Sequence, residues 1–127
     1  MELHHFAFEV SDLEKAIGFY TETFGMKLMF QEVDSAHGES FAMLSFETGV
    51  LELLQRIGVS EPFQKPEIKP PYCPHLAFKT EEMDDLVKKL TAQGVKLAGG
   101  PFDNGKGIRW VYFADPDNNI IEFIQVK

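Results

Sequence analysis

His5-Phe6-Ala7-Phe8 returns seventy residues later as His75-Leu76-Ala77-Phe78, and the same offset lays Val50-Leu51-Glu52-Leu53-Leu54-Gln55 on Ile120-Ile121-Glu122-Phe123-Ile124-Gln125. Two separate stretches at one offset mark an internal duplication. The step from His5 to Glu52 is 47 residues and so is the step from His75 to Glu122, although the intervening sequences differ. A Gly-x-Lys-Leu step, Gly25 to Leu28 and Gly94 to Leu97, repeats at an offset of 69, as expected if one loop is a residue shorter.

Alternation over His4 to Val10 puts Phe6, Phe8 and Val10 on one face of a strand and His5, Ala7 and Glu9 on the other, with His4 opposite His5. Ser11 or Asp12 then caps a helix whose apolar stripe is Leu13, Ala16, Ile17, Tyr20 and Phe24, closed by Gly25. Strands are predicted over residues 27–32, 40–46 and 50–57, the last two joined as a hairpin at Thr48-Gly49. The second copy repeats the order, with a strand at 75–79 and a helix over 81–93 turning Met83, Leu86, Val87 and Leu90 inward. Strands follow near Val95, Trp110 and Ile121, and Asp115-Pro116-Asp117-Asn118-Asn119 forms the hairpin turn. The order is βαβββ twice, in the α+β class.

The prolines at 62, 66, 70, 71 and 74 resist helix and central strand, so residues 58–72 read as a linker between modules 1–57 and 73–127. One helix over four strands leaves the second face of each sheet bare. The modules are therefore expected to pack as a single domain, 1–127, with eight strands in a curved sheet and the His5 and His75 faces lining its concave side.

The 127 residues are one domain's length, and 44% apolar composition supports a packed core, which excludes disorder as the main state. Twenty acidic against twelve basic residues give a net charge of −8, which repels nucleic acid. No apolar run is long enough for a membrane span, and MELHHF has neither the basic flank nor the apolar stretch of a signal peptide. The expectation is a soluble, cytoplasmic protein. Cys73 is the only cysteine, so an internal disulfide and a multi-cysteine zinc site are excluded and any metal must be held by His and carboxylates.

A single strand His is ordinarily a hydrogen-bonded side chain, and a single strand Glu is ordinarily solvated. The duplication changes that balance. Glu52 and Glu122 each sit in an apolar strand whose neighbours on both faces are aliphatic or aromatic, and an unpaired carboxylate there costs several kcal/mol or more. Two imidazoles and two carboxylates, His5, Glu52, His75 and Glu122, suit a divalent transition metal and leave two positions of an octahedral ion open. Ala7 and Ala77 leave space beside them.

With these features in place, the chain resembles the vicinal oxygen chelate superfamily and is similar to its short glyoxalase I (lactoylglutathione lyase) members. The segments that carry the resemblance are HHFAFEVSDLEKAIGFYTETFGMKL, GVLELLQ, CPHLAFKT and FADPDNNIIEFIQ, which together span nearly the whole chain. The resemblance implies the glyoxalase/bleomycin resistance/dihydroxybiphenyl dioxygenase fold, metal ligation by His5, Glu52, His75 and Glu122, and a homodimer in which ligand pairs come from one chain or from two. His at the first ligand position resembles the Ni²⁺- or Co²⁺-activated enzymes, with Zn²⁺, Mn²⁺ and Fe²⁺ as alternatives.

The implied reaction converts the hemithioacetal of a 2-oxoaldehyde and a thiol into a 2-hydroxyacyl thioester by proton transfer through a metal-stabilised enediolate. Glu122 is the implied base and Glu52 its partner, although the repeat makes the two equivalent by sequence. Ring-cleaving dioxygenases and fosfomycin thiol transferases resemble a three-ligand pattern, the epimerase group carries Gln at position 52, and drug-sequestering relatives have lost the ligands. The four-ligand set thus points to the lyase, with another metalloenzyme of the superfamily or a non-catalytic small-molecule-binding protein as alternatives. Glu9 stands where glyoxalase I enzymes place an Arg that holds a glutathione carboxylate, and Arg56 where they place Asn. A like charge at Glu9 repels glutathione, so another thiol cosubstrate or a different vicinal-oxygen substrate is expected, with Arg56, Lys106 and Arg109 as candidates to contact an anionic substrate tail.

Overall fold

The computed structural model describes residues 1–127. They form two units, Met1–Gln64 and Lys65–Lys127. The first contains β1 (Phe6–Glu9), α1 (Leu13–Phe24), β2 (Lys27–Asp34), β3 (Glu39–Phe46) and β4 (Gly49–Arg56). The second contains β5 (His75–Lys79), α2 (Met83–Ala92), β6 (Lys96–Asp103), β7 (Ile108–Ala114) and β8 (Ile120–Val126). The predicted βαβββ order is present in both, and the eight strands divide into two four-stranded sheets, ordered β1-β4-β3-β2 and β5-β8-β7-β6. No helix is long and apolar enough to cross a membrane.

Helix α1 begins where Asp12 is extended and its side chain accepts a hydrogen bond from the Lys15 amide. It ends at Gly25, whose φ of 69° lets the chain turn while the Gly25 and Met26 amides satisfy the Thr21 and Tyr20 carbonyls. Leu13, Ala16, Ile17 and Tyr20 are buried, as the stripe predicts, and they cover the face of the sheet that carries Ala42, Leu44, Leu51 and Leu53. Helix α2 starts at Met83, two residues later than its pattern suggests. Glu82 makes no side-chain cap, and the Gln125 Oε1 accepts the Met83 amide instead. Gln55 does the same for the Leu13 amide in the first unit, at 2.8 Å. The Gln that closes each copy of the repeated strand thus caps its own unit's helix.

The ligand-bearing strands meet in parallel. Ala7 stands opposite Glu52 in the β1–β4 ladder, and Ala77 opposite Glu122 in the β5–β8 ladder. Between β7 and β8 the predicted turn is built on buried Asp115, whose carboxylate accepts from the Asp117 and Asn119 amides and from the Asn119 side chain. The proline-rich segment is shared by the two units, divided after Gln64. Its second half belongs structurally to the second unit, where the Pro66 carbonyl accepts from the Asn118 side chain. Ile68 and Tyr72 pack against Tyr112, Ala114 and Ile120 there.

Candidate metal centre

Strand parity turns Leu51, Leu53 and Gln55 toward α1, and so turns Glu52, Leu54 and Arg56 to the other face, with His5, Ala7 and Glu9 beside them. There the His5 Nε2 lies 3.7 Å from the Glu52 Oε1, and the Glu52 side chain is only 15% exposed. The second unit repeats this. The His75 Nε2 lies 2.8 Å from the Glu122 Oε2, with Glu122 13% exposed. Each unit contributes one imidazole–carboxylate pair, and no cluster of three or more His, Cys, Asp or Glu side chains able to hold an ion is present.

The environment of His75 decides which nitrogen can act as a ligand. Its Nδ1 lies 2.8 Å from the Tyr72 carbonyl, which can only accept, so Nδ1 carries a proton and Nε2 presents its lone pair when the ring is neutral. Tyr72 is itself fixed, with its ring stacked on Tyr112 at 4.4 Å between centroids. Tyr112 stands opposite Glu122 in the β7–β8 ladder, and burial, with the Glu122 charge adding, pushes its phenol above the usual value. In the first unit the His5 Nδ1 lies 2.7 Å from the His4 Nδ1. Strand parity had put His4 on the opposite face, but β1 begins only at Phe6, so the alternation does not reach back to His4.

The donor types, imidazole nitrogen and carboxylate oxygen, are those a divalent transition metal takes. Two donors each about 2.1 Å from one ion stand roughly 3.0 Å apart at an octahedral edge and roughly 3.4 Å apart at a tetrahedral one. The observed 2.8 Å and 3.7 Å separations lie on either side of those values.

The basic candidates are placed differently from one another. Arg56 is on the Glu52 face, where its Nε donates to the Glu9 carboxylate at 2.6 Å. Arg109 is not on the Glu122 face. It shares the helix-facing side of β7 with buried Val111 and Phe113, and its guanidinium donates to Asp84 of α2 at 2.9 Å, holding that carboxyl below its ordinary value. Lys106 lies in the β6–β7 loop, next to Gly107, whose carbonyl accepts the Lys127 amide. Lys127 is five residues along from Glu122, roughly 16 Å at strand spacing. The second unit therefore brings neither cation to its imidazole–carboxylate pair. Phe41 and Met43 lie on the Glu52 face, with Met43 opposite Glu52 and Phe41 opposite Leu54.

Sequence reasoning missed Tyr72, whose part is played through a carbonyl and a ring seat. The available signal was Gly99-Gly100 inside a strand, the mark of close approach to a backbone. A Cβ at Gly99 would lie 2.7 Å from the Tyr72 ring and hydroxyl. Gly99→Ala is accordingly expected to destabilise the protein by about 1–3 kcal/mol despite the better strand propensity of Ala, because the stacked ring must move. Urea denaturation checks this, and a neutral or stabilising effect would mean that the ring is not held there.

Comparison with known proteins agrees with this architecture. Residues 2–123 match the family profile described as the Glyoxalase/Bleomycin resistance protein/Dioxygenase superfamily. The chain belongs to this superfamily. Among curated members it is 31% identical to the metallothiol transferase FosB of Lysinibacillus sphaericus, over 95% of this chain and 79% of that one. It is 30% identical to the lactoylglutathione lyase of Escherichia coli O157:H7, over 100% and 94%. Among solved superfamily structures, the trypanothione-dependent glyoxalase I of Leishmania major superposes with a TM-score of 0.75 at 25% identity, covering 98% of this chain and 86% of that one.

Proposed function

We propose that this chain is a divalent-metal-dependent lyase of the glyoxalase I kind, in which His5, Glu52, His75 and Glu122 are the ligands and Glu122 is the base. The observation that carries the reading is the repetition of one imidazole–carboxylate pair in both units, with Glu52 and Glu122 at the same ladder register opposite Ala7 and Ala77. His5, Glu52, His75 and Glu122 would hold a divalent ion, Ni²⁺ or Co²⁺ first among the candidates, which would supply Lewis-acid stabilisation of the charge that develops as the substrate C–H is deprotonated. Glu122 then takes the proton from the carbon bearing sulfur and returns it to the adjacent carbon, leaving a 2-hydroxyacyl thioester. His75 is held by the Tyr72 carbonyl so that Nε2 stays directed at the Glu122 carboxylate. Low exposure of both carboxylates limits competition from water.

The chain is further proposed to act as a cytoplasmic homodimer on a small molecule. The FosB relative supports a second reading, transfer of a thiol to a different electrophile at the same metal. The deciding experiment is turnover of methylglyoxal with a panel of thiols, with and without Ni²⁺. Nickel-dependent thioester formation with at least one thiol is expected, and its absence across the panel would remove the lyase reading.

A further inference from the structure

The two imidazole–carboxylate pairs differ in how their imidazoles are held. His75 lies inside β5, in register with Ile120 of β8, and its Nδ1 donates to the Tyr72 carbonyl. His5 precedes β1, whose register with β4 begins at Phe6 opposite Leu51. Its carboxylate neighbour is also more distant, since 3.7 Å from Nε2 to Glu52 is too long for a hydrogen bond whereas 2.8 Å from His75 to Glu122 is not. What His5 has instead is His4. The two Nδ1 atoms lie 2.7 Å apart, and the rings meet edge to face, 5.0 Å between centroids and 82° between planes. Consecutive side chains in a strand point to opposite faces, so this meeting depends on both residues lying ahead of β1.

Two ring nitrogens this close share one hydrogen, so one imidazole donates and the other accepts. A carbonyl only accepts, whereas a neutral imidazole takes either role at Nδ1. When the His5 Nε2 gives its lone pair to an ion, the hydrogen of that ring is on Nδ1, and the His4 Nδ1 is then the acceptor, with the His4 hydrogen on Nε2. We infer that His4 is the positioning residue of the first unit: its ring accepts the His5 Nδ1 hydrogen and so aims Nε2, as the Tyr72 carbonyl does for His75. The inference rests on the proposed reading of His5 as a ligand and goes beyond it in assigning the neighbour that orients it. His4 is not itself a ligand in this arrangement, because one of its nitrogens is engaged with His5 and the other carries a hydrogen.

Metal binding tests this without any turnover. Ni²⁺ is titrated calorimetrically into the metal-free protein and into its His4→Phe, His4→Asn and His5→Ala variants, each confirmed as folded by circular dichroism. Phe keeps a ring for the edge-to-face contact and removes the acceptor, whereas Asn places an amide oxygen close to where Nδ1 stood. His4→Phe is expected to weaken Ni²⁺ binding about tenfold, and His4→Asn to stay within about threefold of the unmodified protein, since outer partners of ligating imidazoles contribute on the order of 10–100-fold and water partly replaces one at an exposed ring. Proton NMR of the Co²⁺-loaded protein in water gives the spectroscopic readout. The paramagnetically shifted Nδ1–H signal of His5 is expected to vanish through faster exchange in His4→Phe, while that of His75 persists. Unchanged affinity in His4→Phe, no recovery in His4→Asn, or a persisting His5 signal in His4→Phe overturns the inference. His5→Ala separates the two readings. If it binds Ni²⁺ as the unmodified protein does, His5 is not a ligand and the four-ligand reading falls together with the inference. Weakened binding in His5→Ala beside undiminished binding in His4→Phe removes the inference alone.

Discussion

Glu122→Gln is expected to leave a folded protein while lowering kcat for the methylglyoxal hemithioacetal by about 10²–10⁴-fold, the range a positioned general base supplies. The amide keeps the shape of the carboxylate and an oxygen donor, so the strand should remain packed between Ala77 of β5 and Tyr112 of β7. What it loses is the capacity to take a proton. Stopped-flow measurement of thioester formation, with metal content determined on the same sample, distinguishes loss of the base from loss of the ion. Full activity in a metal-replete Glu122→Gln protein would exclude Glu122 as the base. Glu52→Gln serves as the internal comparison, because the repeat gives it the same ladder position without the proposed proton-transfer role.

Chelation is expected to have the second large effect. A ligand that binds only the folded state at a thousand times its Kd adds about 4 kcal/mol, which for a chain of this size lowers the melting temperature on the order of 10 °C when it is stripped away. Restoration by Ni²⁺ or Co²⁺ should recover both the melting temperature and activity. The same treatment should do little to His75→Ala, in which one pair is already broken. Insensitivity of the unmodified protein to chelator, with no metal found after purification, would support a metal-free binding protein instead.

Much of this arrangement was legible because it is written twice. The offset between the His5 and His75 stretches gave the module order, and their equal spacing to Glu52 and Glu122 marked the four side chains that the two parallel ladders bring together in pairs. Helix α1 was readable through a side-chain cap and a glycine stop, whereas α2 lost two residues because its start depends on Gln125, a donor's partner 42 positions away. Tyr72 was concealed for another reason, although it lies only three residues before His75. A backbone carbonyl has no sequence signature, so its hold on His75 emerges only when the chain is folded. Arg109, chosen as a cation for an anionic tail, is placed toward α2 by its register with Gln125, and there it pairs with Asp84.

The capping of each helix by the glutamine one residue before the end of β4 or β8 has a bearing on how such a protein can change. The two strands that carry Glu52 and Glu122 are thereby fastened to the helix of their own unit, while β2 and β6 stand at the opposite margins of their sheets and expose Met29, Phe30, Val33, Leu97 and Phe102. Substitutions can accumulate on those outer margins without loosening the elements that hold the proposed ligands.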